Sequence, residues 1–151
     1  MLETVYEATE DGACPFVNCL ATGCRVFVGE LTDCCMNYAA GIPLEALAGS
    51  NTSTYAGTFS KDYHEMQTKD AEVLPLALLI GTGTAMLANR ISHFYDLQGP
   101  SMTTDTGCSS GLVAVHQACQ SIRSGESNIS IVGAASTLLS QDTFISTSTA
   151  G

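Results

Sequence analysis

Apolar residues at Leu112, Val115, Cys119 and Ile122 recur at three- and four-residue steps and predict one face of a helix inside DTGCSSGLVAVHQACQSIRSGES, residues 105–127. Ser109 or Ser110 can cap its start, Arg123 sits in its last turn, and Gly125 follows as a C-terminal cap. Its flanks, SMTTD and NISIVGAAS, are short and β-rich, with Ile129, Ile131 and Val132 as core candidates. Together they predict a strand, helix, strand unit. A second helix is predicted after Gly81–Thr84, with Met86, Leu87 and Ile91 on its buried side. Upstream, Leu2, Val5 and Tyr6 form an apolar stripe with acidic residues early in the run, so residues 1–11 read as a helix. Residues 40–57 hold a Gly-Ile-Pro turn, a short helical piece at 44–48 and a strand at 54–56. Residues 58–74 are polar and read as an exposed excursion, with His64 a solvated loop residue. Between residues 12 and 39 no sustained period emerges, although 25–29 could form a short strand.

The chemistry concentrates at Cys108. Gly107 and Gly111 permit a sharp turn and close backbone approach around it, and the predicted helix starts beside it. The free N–H groups and positive dipole end of a helix start favour an anionic sulfur, and turn amides can hold a developing oxyanion. Acyl transfer is the chemistry such a cysteine suits.

Charge and composition narrow the partners. With a net charge of −10 and only five Lys and Arg, the chain lacks the basic patch that nucleic acid binding requires. No apolar run is long enough to cross a bilayer, and the N-terminus is acidic where a signal peptide would be basic and then apolar. The cytoplasm is the expected compartment. There the seven cysteines stay reduced and imply no disulfide framework. Five of them fall in residues 12–39, without the paired spacing or the histidine of a zinc site, so no metal is expected.

At the nucleophile segment the chain resembles the ketosynthase (beta-ketoacyl synthase) domains of polyketide and fatty acid synthases, members of the thiolase-like superfamily. Similar stretches are ANRISHFYDLQGPSMTTDTGCSS (88–110), MLETVYEA at the start, residues 40–65 and IVGAASTLLSQD (131–142), with the flavour of iterative, reducing fungal synthases. The resemblance implies an α/β, thiolase-like fold, helices packed on a mixed sheet, with residues 1–151 part of its N-terminal half only. It implies Cys108 as acyl-accepting nucleophile in a decarboxylative Claisen condensation with a malonyl thioester. It also implies an acyl carrier protein whose phosphopantetheine arm delivers the acyl group, a homodimer, and no directly bound cofactor. The family's two assisting histidines lie well downstream of the cysteine, so the chain alone is expected to be inactive.

Deleting residues 12–39 joins EATED to AGIPLEALAG and restores the continuous helix and turn of the resembled family. The segment is therefore read as a non-native insertion, of the kind a translated intron leaves. Two rival readings of function stand beside condensation. Gly107, Ser109 and Gly111 satisfy GxSxG, which would make Ser109 the nucleophile of an α/β-hydrolase, yet no histidine follows His116. The other is a noncatalytic fragment. His116 lies eight residues along the helix from Cys108, about 12 Å at ~1.5 Å per residue, too far to deprotonate it. Packing is the reading for His116 and His93, and a buried, inert thiol the reading for Cys119. Ile80 stands before GTGT where the family's later motif has a catalytic histidine, so Gly81–Thr84 is read as a loop and helix start.

Overall fold

The computed structural model describes residues 25–30, 44–59, 61–70, 72, 74–136 and 139–149. Small and β-branched residues build the two inner strands, β2 (Thr52–Thr58) and β4 (Ile129–Ala135). They are flanked by β1 (Arg25–Glu30) and β3 (Ser101–Thr104) in the order β1-β4-β2-β3. The helices are α1 (Leu44–Leu47), α2 (Asp62–Thr68), α3 (Leu78–Thr82), α4 (Met86–Phe94), α5 (Ser110–Arg123) and α6 (Gln141–Thr149).

All three strand pairings are parallel, running Thr52↔Ile129 to Thr58↔Ala135, Thr54↔Ser101 to Gly57↔Thr104, and Arg25↔Ile129 to Glu30↔Ala134. The expected mixed sheet thus shows only its parallel part among the described residues. Helical crossovers account for this between β2 and β3 and between β3 and β4, because a helix returns the chain to start the next strand in the same direction. Every residue of β2 is buried, as a parallel strand covered on both faces must be. Tyr55 packs with Ala114, Ala118, Ile122 and Val132, while Thr54 Oγ1 accepts a 3.1 Å hydrogen bond from Ser92 Oγ of α4. Successive strand residues face opposite sides, so α5 covers one face and α4 the other.

The buried side of α5 differs from the expected stripe. Ala114 and Ala118 are fully buried and Ser110, Ser121 and Ile122 nearly so, whereas Leu112 is 76% exposed. Close approach explains it: a Cβ on Gly57 would stand 2.8 Å from Gly111 N, leaving room only for small side chains beneath this end of the helix. Cys119 is half-buried rather than enclosed, packed against that cluster with Val115. At the other end, Ser53, Ser121, Ser127 and Ser130 form a buried hydroxyl network, with Ser53–Ser127 and Ser121–Ser127 both at 2.9 Å and Ser53 also bonded to Ser130. Each member satisfies another, which is what allows four hydroxyls to be buried together.

Gly125, with φ +75°, ends α5 as expected, its amide donating to Ile122 O at 3.1 Å. The excursion at 58–74 is more structured than its polarity suggests. It contains α2, and His64 Nδ1 lies 2.6 Å from Thr82 Oγ1, half-buried instead of solvated. In α4, Ala88 and Ile91 are buried, with Met86 and Leu87 only half-buried. The expected N-terminal helix lies outside the described residues, as does all of 12–39 except β1.

Candidate active site

The turn carrying Cys108 connects β3 to α5. Asp105 Oδ1 accepts the Gly107 amide at 3.2 Å, folding the chain back as soon as the strand ends. Gly107 then adopts φ +67°, the left-handed region, while its missing Cβ would meet nothing closer than the Phe59 ring at 3.9 Å. Conformation, not space, requires glycine here. Cys108 follows, exposed and free, two residues ahead of the first helical residue. The first-turn amides of α5 have no partner within the helix, so their dipoles converge on this turn.

The two serines after it divide their tasks differently from the expected cap. Ser109 occupies the N-cap position without a side-chain capping bond. Its hydroxyl turns back to Thr106 O and Thr106 Oγ1, both at 2.9 Å. Ser110 is buried, and its Oγ accepts the Thr106 amide at 2.9 Å while facing Gly107 O at 2.6 Å and Thr58 O at 2.9 Å. Thr104 Oγ1 adds a 3.0 Å bond to Gln117 Oε1, one more tie between β3 and the helix.

The hydrolase alternative finds no support. The Ser109 hydroxyl bonds only to Thr106 among the described residues, and His93 and His116 are both exposed. Their exposure also corrects the packing reading. His116 shares the solvent face of α5 with Leu112, Gln120 and Arg123, all exposed, rather than the stripe of alanines that meets the sheet.

Beside the C-terminal ends of β2 and β4 lies a cavity of about 320 Å³, walled by Gly57, Lys61, His64, Thr82, Met86 and Arg90 among others. Cys108 does not line it. Asp62 is in its wall, buried, and accepts the amides of Ser140 at 3.0 Å and Leu139 at 2.9 Å and the Thr143 hydroxyl at 3.0 Å. The Ser140 amide foremost, then the Leu139 amide, the Thr143 hydroxyl and the amide of Asp62 itself, hold its carboxyl below the ordinary value against the opposing effect of burial. The sequence pattern missed both Asp62 and the Ser110 brace, because their partners lie 77 and 52 residues away. Among the described residues no group of His, Cys, Asp and Glu is placed to hold a metal ion, and no helix is long and apolar enough to cross a membrane.

Residues 35–151 match the family model for the beta-ketoacyl synthase N-terminal domain. The chain is 53% identical over 113 residues to the highly reducing polyketide synthase azaB of Aspergillus niger, covering 75% of this chain and 4% of that protein. It is 54% identical over 112 residues to the highly reducing polyketide synthase sorA of Penicillium rubens, covering 74% and 4%. Against the squalestatin tetraketide synthase of a Phoma species it is 52% identical over 113 residues, covering 75% and 4%. Among solved structures it is similar to the ketosynthase from module 6 of the bacillaene synthase of Bacillus subtilis 168, at 30% identity and a TM-score of 0.62, covering 72% of this chain and 17% of that one. The oxazolomycin ketosynthase domain OzmH KS7 of Streptomyces albus JA3453 gives 27% identity and a TM-score of 0.59, covering 72% and 19%. The chain thus spans about 4% of the length of these curated relatives.

Proposed function

The chain belongs to the beta-ketoacyl synthase family, and from that premise we propose that Cys108 is the acyl-accepting nucleophile of a polyketide synthase's ketosynthase domain. The observation that carries this is its placement: an exposed thiol in a tight, glycine-dependent turn, at the start of the helix that packs along β2 and β4. In the proposed reaction the Cys108 thiolate attacks the carbonyl of an acyl thioester on the carrier protein's phosphopantetheine arm. The carbon–sulfur bond to the carrier breaks, its thiol departs, and an acyl-cysteine remains. A malonyl thioester then loses carbon dioxide. The carbanion attacks the acyl-cysteine carbonyl, a carbon–carbon bond forms, and the Cys108 thiolate leaves. The Thr106, Gly107 and Ser110 amides are already bonded within the turn, so each oxyanion would draw on the neighbouring amides at the helix start.

The acyl carrier protein, the acyl and malonyl thioesters, a homodimer and a cytoplasmic location belong to the same reading. So does inactivity of the 151-residue chain by itself, since no histidine follows His116 to assist decarboxylation. Residues 12–39 are, in this reading, translated intron. The test of the nucleophile is acyl loading of a full-length synthase carrying this segment, mapped by mass spectrometry. Acylation at Cys108 supports the assignment; acylation at Cys119 with Cys108 untouched overturns it.

A further inference from the structure

We propose that Ser110 is a positioning residue for Cys108, an inference that rests on Cys108 being the nucleophile. Cys108 is exposed, so its place is set by the backbone that carries it. Asp105 and Ser109 also bond within the turn, but one hydroxyl joins it to the sheet. Ser110 Oγ accepts the Thr106 amide at 2.9 Å on one side of the turn and lies 2.6 Å from Gly107 O, while the Ser110 amide donates to the same carbonyl at 3.1 Å. The third partner is Thr58 O at 2.9 Å, at the end of β2. A serine hydroxyl has a single proton, so it donates to one of the two carbonyls at a time while accepting from Thr106.

The Thr58 bond gives the arrangement its significance. β2 is buried along its whole length and is hydrogen-bonded on both sides, so it is the most constrained reference in the fold. Gly57 brings that strand against the first turn of α5 with no side chain between them. Ser110, itself only 4% exposed, therefore transfers the strand's position to the two residues that precede the sulfur. Removing its Oγ leaves the Thr106 amide without its acceptor and disconnects the turn from β2, although Gly107 still permits the backbone path. Cys108 then samples positions off the line of attack.

The experiment compares Ser110→Ala and Ser110→Thr in a full-length synthase carrying this segment. Active sites are counted by acyl loading at Cys108, located by mass spectrometry, so that rates refer to folded, competent molecules. Ser110→Ala is expected to lower kcat per loaded site by ~10-fold or more with KM for the malonyl thioester within about 2-fold, because misplacement of a reacting group acts on the chemical step. Ser110→Thr, which keeps the hydroxyl, is expected to recover most of that loss. A kcat per loaded site at the wild-type level in Ser110→Ala overturns the proposal, since a purely structural role changes the number of competent sites and not their rate. Should Ser110→Ala fail to fold, Ser110→Cys replaces it, nearly isosteric and a weaker hydrogen-bonding partner, with the same readout and the same overturning result. If the unaltered synthase takes no acyl group at Cys108, the nucleophile assignment fails. If it does and Ser110→Ala keeps its kcat, only the positioning role fails.

Discussion

A Cβ built on Gly57 would stand 2.8 Å from the backbone nitrogen of Gly111, so strand β2 and the first turn of α5 meet with no side chain between them. The obstructing atoms are backbone, which cannot rotate away. Gly57→Ala is therefore expected to push the start of α5 off the sheet and to destabilise the domain by about 1–3 kcal/mol, the usual cost of overpacking. Chemical denaturation of a full ketosynthase domain carrying the segment measures it. Unchanged stability would show that α5 can slide without cost. Gly49, where an added Cβ meets nothing but φ is +72°, is the control for backbone strain without a clash.

The Asp62 carboxylate ties α2 to the chain entering α6, and its titration sets the sign of an acid effect. Its folded-state pKa lies below the ordinary 3.8, so the folded state prefers the anion. The stabilisation is complete above the unfolded value and is lost as pH falls through the depressed one. Stability should fall on acidification below about pH 4, and Asp62→Asn should flatten that part of the profile while destabilising at neutral pH. Hydrogen exchange at the Leu139 and Ser140 amides, which the carboxylate accepts, reports the tie directly. Protection of those amides that is the same in Asp62→Asn as in the wild type would contradict the prediction.

Cys108→Ala is expected to abolish condensation in a full-length synthase, whereas Ser109→Ala should keep substantial activity, because the Ser109 hydroxyl bonds only to its exposed neighbour Thr106. Product formation with malonyl thioesters, measured for each variant, separates the two. The reverse ranking would restore the hydrolase reading.

The strand, helix, strand unit around Cys108 was legible because each part carries a local signal: β-branched runs on either side, a left-handed Gly107, and Gly125 closing the helix. What escaped was everything set by distant partners. The buried face of α5 rests on Ala114 and Ala118, too small to stand out as a hydrophobic stripe, while Leu112 completes the pattern by eye yet faces solvent. The polarity of 58–74 concealed α2, because the carboxylate that anchors its start is satisfied by residues near 140 that no local window contains. The thiol could be found from its neighbours in sequence. The serine that holds its turn could not, since Thr58 is brought to it only by the fold.

The isolated 151-residue chain should aggregate. Leu76, Leu79 and Ile80 are 110%, 78% and 64% exposed, and Met102 is 45% exposed on the edge strand β3. An uncovered strand edge beside apolar surface is a template for association. Sedimentation of the purified chain tests this, and a dispersed monomer that unfolds cooperatively would refute it.

Mature transcripts should lack the codons for residues 12–39. The family match covers residues 35–151, so it leaves out β1 but takes in residues 35–39 at the end of this segment. Removing 12–39 joins EATED to AGIPLEALAG in frame. A Gly codon at position 12 can hold a GT donor, Leu31-Thr32-Asp33 can be encoded by a branch-like CTGAC, and an Ala codon near 39 can overlap an AG acceptor. Against this stands the pairing of β1 with β4 over Arg25↔Ile129 to Glu30↔Ala134. That pairing does not require an evolved partner. Strand pairing is made by backbone groups, and an open edge at β4 accepts a β-prone run such as RVFVGE. Nor does chain entropy decide, since closure cost rises only slowly with loop length. Composition weighs for the intron, because five cysteines and an apolar run are not what a solvated loop carries. Sequencing messages across positions 11 and 40 gives the answer. A spliced junction means that β1 is absent from the mature protein, leaving that edge of β4 to another partner or to solvent; uniform retention means that β1 is native and the insertion reading is wrong.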